Sequence, residues 1–304
     1  MNPSSLALLE LGRALVRAGY HFITPTPETH RRVFARRERA RGLRDVFGWS
    51  RPFARALLSS ELFELLVRAD AVREHGSDYL ATVRFASLGA SLYVHSAYPT
   101  VLPDAVFFGP DSYRFCAFIE REAPRARSVV DIGCGSGVGG LVAACVAGAE
   151  RLLLTDVNAQ ALAYAEVNAA LSGRTDATAF VHSDVLANVT GELDLIVANP
   201  PYMRDEAARM YRDGGGHFGE ALSVRIVRES LARLAPSGTL LLYTGAAVVD
   251  GEDMFWRAIR ELVDGFSHTY RELDPDVFGE ELERPGYQDV ERIAAVGLRV
   301  QKAG

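Results

Sequence analysis

Two segments constrain this chain more than anything else in it: VVDIGCGSGVGG from Val129 to Gly140, and LDLIVANPPY from Leu193 to Tyr202. Each reads as an apolar run too continuous for a half-exposed strand, and so as a strand buried on both faces. The first ends in a glycine loop that opens a helix, the second in an Asn-Pro-Pro-Tyr turn. Between them strand and helix patterns alternate, with strands at 151–157 and 178–184 and a helix from about Ala159. That alternation builds a parallel sheet covered by helices. If both loops lie at the carboxyl ends of neighbouring strands, they open on one crevice, which is where open α/β sheets bind ligands.

At 304 residues the chain has room for one large domain and a smaller one, here expected at 101–304 and 1–100. A net charge of -6 argues against nucleic-acid binding over the whole surface but leaves room for a local basic patch. Cys116, Cys134 and Cys145 show no CxxC spacing and sit in apolar or glycine-rich contexts, so they read as reduced thiols of a cytoplasmic protein. The scattered histidines suggest no metal site. No apolar run is long enough to span a bilayer, and an amino terminus with Glu10 and Arg13 inside its apolar pattern does not read as a convincing signal peptide. Lys302 is the one lysine among 33 basic residues, so an arginine at any single place is weak evidence that a guanidinium was required there.

Along the amino-terminal third, Ser4 or Ser5 can cap a first helix that stops at Gly19, and Thr26 with Pro27 starts a second. The second carries seven arginines between Arg31 and Arg44. They read as a contact surface for RNA phosphates or an acidic partner, or as a solvated helix face; the solvated face is the preferred reading. Helical patterns follow from Ser50 to Leu58 and Glu61 to Ala69. Then alternation from Tyr79 to Leu88 and Ser91 to Ala97, joined at Gly89-Ala90, predicts a hairpin. Helices and a hairpin together make a winged-helix-like module. Prolines at 99, 103 and 110 mark a linker, and the aromatic stretch from Phe107 to Phe115, with Phe108 and Tyr113, is placed either to cover a substrate or to serve as an apolar hinge. Later strands are expected at 238–244, 267–273 and 292–300, with helices from about Glu220 and Glu252.

In the glycine loop, Gly133, Gly135 and Gly137 let the backbone turn tightly and approach a ligand, with Cys134 between them. Gly135, Gly137 and Gly140 also satisfy GxGxxG, and Asp156 follows at the next strand end, so a dinucleotide site must be weighed. Its register is poor, because Gly133 already ends the strand. Asp131 also suits a cationic amino-acid ligand better than a pyrophosphate, which favours S-adenosylmethionine. Asp156 would accept from both ribose hydroxyls and Asp184 from the adenine amino group, with Val157 and Val185 flanking them. The prolines of Asn199-Pro200-Pro201-Tyr202 remove two N–H donors. The Asn199 side-chain oxygen and the Pro200 carbonyl are left to accept the two hydrogens of a planar amide or amino group, on which the Tyr202 ring can stack.

From about residue 105 to 300 these motifs resemble a class I S-adenosylmethionine-dependent methyltransferase, and NPPY resembles its nitrogen-methylating branch. Within it the chain is similar to the HemK-type enzymes that methylate a release-factor glutamine and to small-domain RNA methyltransferases. The resemblance implies a Rossmann-like α/β fold: a seven-stranded, mostly parallel sheet with its last strand antiparallel and helices on both faces. It also implies cofactor contacts at Asp131, Gly133, Gly135, Asp156 and Asp184, and substrate contacts at Asn199, Pro200 and Tyr202. FFGPDSYRF and YRDGGGHFGEAL depart from the HemK pattern, both on the substrate side. The expected activity is methyl transfer to a planar nitrogen in a protein or RNA. A nicotinamide oxidoreductase would need a glycine fingerprint beginning at the strand end, and an inactive binding module would be expected to have lost NPPY. Chemistry on the cofactor itself has nothing in the sequence to recommend it.

Overall fold

The computed structural model describes residues 1–205 and 209–304. They form two compact units that interleave along the chain. The first comprises Met1–Arg114, Gly135–Val138 and Ala159–Thr178; the second comprises Phe115–Cys134, Gly139–Asn158 and Ala179–Gly304.

In the first unit, α1 (Pro3–Arg17) starts a little earlier than the serines suggest: the Asn2 side chain accepts from the Ser5 N–H, and Pro3 takes the first helical position. The helix α2 (Pro27–Phe34) begins at Thr26 as expected, but the arginine-rich run does not continue it. Helix resumes only in α3 (Leu43–Phe47). Residues 35–42 offer no apolar face to bury, and a short helix without tertiary packing is marginal; the Ala40 N–H bonds the Pro52 carbonyl instead. The helix expected from Ser50 is reduced to one 3-10 turn, Arg55–Leu57, because Phe53 pairs with Tyr79. Then come α4 (Ser60–Arg68), β1 (Val72–His75), β2 (Asp78–Ala81), β3 (Val83–Leu88) and β4 (Ser91–Ser96).

There are thus two hairpins where alternation predicted one. The strand read from Tyr79 to Leu88 breaks at Thr82, whose N–H bonds the Ala71 carbonyl. Leu11, Leu15, Phe47, Phe53, Leu66 and Phe85 centre a core shared by these helices and hairpins.

Beyond α5 (Pro110–Glu122) the chain runs β5 (Ser128–Ile132), α6 (Val138–Ala147), β6 (Arg151–Asp156), α7 (Ala159–Leu171), β7 (Thr178–His182) and β8 (Leu193–Ala198). It continues through α8 (Ala221–Leu231), β9 (Leu234–Val249), β10 (Glu252–Asp253), α9 (Met254–Val263), β11 (Ser267–Asp274) and β12 (Arg292–Gln301). Ala161, Tyr164 and Val167 of α7 belong to the first core. The buried Asn168 ties α7 to β4, accepting from the Val94 N–H at 2.7 Å and donating to the Val94 carbonyl at 3.0 Å.

The large sheet of the second unit has the order β11-β12-β9-β8-β5-β6-β7, with the two-residue β10 beside β9. The pairs β5/β6, β5/β8 and β8/β9 are parallel, whereas β12 is antiparallel to both its neighbours. This is the mostly parallel sheet with an antiparallel last strand that the resemblance implied, extended by β10. The 16-residue β9 outruns the expected 238–244, since β12 pairs with it as far as Val248.

Register fixes the site. Asp131 lies opposite Leu154 and Val197, and Ile132 opposite Thr155 and Ala198. The next residues, Gly133, Asp156 and Asn199, therefore leave three adjacent strands at one level. The chain proceeds from β5 to β6 on one side and returns as β8 on the other, which makes this edge the topological switch point.

Candidate active site at the strand ends

Near the end of β5, Asp131 is 2% exposed, and its Oδ2 accepts from the Gly140 N–H at 2.7 Å. The carboxylate thus anchors the first turn of α6. Burial pushes its pKa up to about 8, against the lowering effect of the Gly140 bond and with a smaller push from Asp156. At Gly140 a Cβ would meet the Asp131 Cβ at 2.9 Å, so only glycine permits that bond. Gly133 has φ +64, a left-handed conformation, and nothing lies within 4 Å of where its Cβ would point. Gly135 and Gly137 also have positive φ. Between the glycines, the Cys134 N–H donates to the Thr155 carbonyl at 2.9 Å, and burial drives the thiol far above its usual range, which disfavours the thiolate.

At the end of β6, the Asp156 Oδ1 accepts from the Asn158 N–H at 2.8 Å, a turn that fixes the carboxylate at the mouth of the crevice. Val157, between them, is 44% exposed. The Ser183 N–H donates to the Asp156 carbonyl and holds the end of β7 alongside. The Asp184 carboxylate accepts from Arg225 Nη1 at 2.8 and 2.9 Å, in an exposed ion pair that Glu229 extends. Val185 is buried with φ 52.

After β8 the chain enters Asn199-Pro200-Pro201-Tyr202. Pro200 and Tyr202 are buried, Asn199 and Pro201 half-buried, and among the described residues no hydrogen bond engages the Asn199 amide. The Tyr202 ring lies against Gly245 of β9 so closely that any Cβ there would overlap it. The following segment folds back on the turn: the Met203 N–H donates to the Arg212 carbonyl and the Gly214 N–H to the Met203 carbonyl. Gly214 and Gly219 abut the backbone of Tyr202 with no space for side chains.

A second loop, 275–291, closes the rim. Tyr287 receives the Arg204 N–H on its hydroxyl at 2.9 Å, and the buried Glu281 pairs with Arg212 and with Arg284. Asp205, clasped by Arg209, is held at about 2 by that hydrogen bond.

The structure brings Asp131, Gly133, Cys134, Asp156, Val157, Asn199, Pro200, Pro201 and Tyr202 to one edge of the sheet of the second unit. Phe108 and Tyr113 belong to the first unit. There Phe108 is 2% exposed and stacked on His95, and the Tyr113 hydroxyl accepts from the Thr24 N–H. Sequence reasoning missed Gly245, Glu281 and Tyr287. A glycine inside a strand pattern was the available signal for the first, since it marks close approach of another group.

Residues 116–248 match the family model described as "Methyltransferase small domain". Over 131 residues the chain is 37% identical to a release factor glutamine methyltransferase of Deinococcus radiodurans, covering 40% of this chain and 45% of that one. A ribosomal RNA small subunit methyltransferase C of Actinobacillus succinogenes is 36% identical over 121 residues, covering 39% and 32%. The chain spans about half the length of the curated relatives it matches. In fold it is similar to the tRNA m1G37 methyltransferase of M. jannaschii, with a TM-score of 0.50 at 13% identity over 73% of this chain and 57% of that one.

Proposed function

We propose that residues 116–248, which resemble the small-domain and release-factor glutamine methyltransferases, form a class I S-adenosylmethionine-dependent methyltransferase domain, and that the chain methylates a planar amide or amino nitrogen in a protein or RNA. One observation carries the reading: Gly133, Asp156 and Asn199 leave adjacent parallel strands in register, with NPPY intact. The cofactor's chemistry fits these residues. A buried carboxylate lies beneath a loop whose Gly133 leaves open space for a ligand, and a second carboxylate stands at the neighbouring strand end. When bound, S-adenosylmethionine would supply a methyl group activated by a sulfonium, with the neutral thioether as leaving group and the acceptor nitrogen's proton passing to water.

The chain's own part is binding and orientation. Asp131, in its ionised form, places negative charge under the cationic ligand, and Asp156 accepts from the ribose hydroxyls. Asn199 and the Pro200 carbonyl accept the two N–H hydrogens and so aim the lone pair, while Tyr202, seated on Gly245, stacks on the planar group. An activated leaving group needs no strong base, so positioning supplies the rate. The relatives named for a release-factor glutamine and for ribosomal RNA support an acceptor in one of these two polymers.

The test is label transfer. Purified protein, methyl-labelled S-adenosylmethionine and lysate from a strain lacking the gene should yield label on nitrogen of an amino acid or nucleoside after digestion. Label found only in methylthioadenosine, or on carbon or oxygen, would overturn the reading.

A further inference from the structure

The arginine-rich run is not uniform once its partners are known. Arg31 and Arg32 both pair with Glu28, and Arg39 pairs with Asp78. These are ordinary surface pairs of little energetic weight. Arg41 and Arg44 differ: both are exposed, and among the described residues no carboxylate pairs with either side chain.

Both line a cleft of about 680 Å³ within the amino-terminal unit, together with Arg37, His21, Tyr20 and Trp49. The acid in that lining, Asp45, is already committed: it pairs with Arg37 and the buried Arg51, and its Oδ2 accepts from the Arg41 backbone N–H at 2.8 Å. Asp45 therefore neutralises neither Arg41 nor Arg44.

A second observation points the same way. Arg84, on β3, is 4% exposed; its Nε donates to the Gly48 carbonyl at 2.6 Å, while Nη2 has no partner. No carboxylate pairs with it among the described residues. It is held by the faces of Phe22 and Tyr98, and desolvation lowers its pKa to about 10, still cationic at neutral pH. Tyr20 lines the cleft and turns its hydroxyl inward to donate to the Phe85 carbonyl at 2.9 Å, where the charges of both Arg84 and Arg44 act on it. A buried guanidinium without a carboxylate partner, in the same unit as two exposed guanidiniums that also lack one, favours an anion in the cleft.

We propose that this cleft is a docking surface for single-stranded RNA, with Arg41 and Arg44 on backbone phosphates and Trp49 and His21 beside the unstacked bases. Charge complementarity sets the sign of the occupant, and the mixture of aromatic rings with arginines is the arrangement that holds single strands: a basic track along the backbone and rings on which bases stack. The proposal deepens the methyl-transfer reading, since it selects RNA as the acceptor polymer, but RNA binding can be measured without turnover.

The experiment is fluorescence anisotropy of a fluorescein-labelled 20-nucleotide oligouridylate with the full chain, at several salt concentrations. The wild type should bind, with the logarithm of affinity falling linearly with that of salt. Arg41→Gln/Arg44→Gln should weaken binding at least tenfold at low salt and flatten the slope by about 1.4, the loss of two single-strand phosphate contacts. Arg41→Lys/Arg44→Lys should restore most of both. S-adenosylhomocysteine affinity, measured calorimetrically, should be equal in all three proteins, which shows that the variants fold. No binding by the wild type, or equal slopes in wild type and glutamine variant, overturns the proposal. So does a fluorescein-labelled polyglutamate of equal length that binds as tightly with the same sensitivity to the variant, for the surface would then fit an acidic protein. Loss of S-adenosylhomocysteine binding by the wild type would instead count against the methyltransferase reading and leave the RNA measurement standing.

Discussion

Two parts of the second unit meet at the same edge of the sheet and are held there by different means. The strand ends, with Asp131, Asp156 and Asn199, are placed by parallel register: once β5, β6 and β8 pair, these residues have one available level. The rim beyond Tyr202 is placed by side chains distant in sequence, with Glu281 and Tyr287 gripping Arg212 and Arg204. The contrast teaches where each kind of information resides. Backbone pairing fixes the chemistry shared by a fold, while a few long-range polar contacts shape the surface the substrate meets.

Substitutions should separate the two parts. The largest effect is expected from Asn199→Ala, which removes one of two acceptors that aim the nitrogen: kcat should fall about 10³-fold with cofactor affinity nearly unchanged. Turnover of labelled S-adenosylmethionine alongside calorimetry checks it, and a kcat within threefold of wild type would refute the role. Next comes Glu281→Gln, which removes one of the two carboxylates paired with Arg212 and leaves Asp205 at 3.5 Å, at a cost of about 1–3 kcal/mol. Hydrogen exchange should rise at Met203 to Gly219 while the amides of β5 stay protected. Equal loosening of both would erase the distinction drawn here.

Asp156→Ala should weaken S-adenosylhomocysteine binding by roughly 10- to 100-fold, the worth of hydrogen bonds to a charged group, and leave exchange at the rim unaltered. The smallest effect concerns pH. With Asp131 near 8 in the free protein, a cationic ligand binds its ionised form better, so S-adenosylmethionine affinity should rise several-fold from pH 7 to 9. The raised pKa also means that Asp131 favours folding below its unfolded pKa near 4, and that this contribution is lost as pH rises through about 8. In Asp131→Asn both dependences should flatten, as pH-resolved calorimetry and melting curves would show.

The first part was legible in the sequence, and the second was not. Continuous apolar strands ending in Gly133, Asp156 and Asn199 announce themselves because pattern and position lie within a dozen residues of each other. The YRDGGGHFGEAL segment registered only as a departure from a family pattern, and nothing local shows that Gly214 and Gly219 must abut Tyr202. Glu281 reads as one acid of an acidic loop, and its burial between two arginines depends on pairing across the whole domain.

The amino-terminal unit repeats the lesson. The start signal at Thr26 and Pro27 predicted a helix carrying all seven arginines through Arg44, but without an apolar face to bury, the run turned and left Arg41 and Arg44 on a cleft. Tyr79 to Leu88 alternates like one strand, and only the bond from Thr82 to Ala71 reveals the break.

The most direct test of the central claim is a crystal structure of the chain with S-adenosylhomocysteine. The account predicts ribose hydroxyls on the Asp156 carboxylate, the amino-acid end over the Gly133 loop, and the sulfur facing Asn199 and Pro200. A nucleoside bound elsewhere on the sheet, or a sulfur turned away from the Asn-Pro-Pro-Tyr turn, would contradict it.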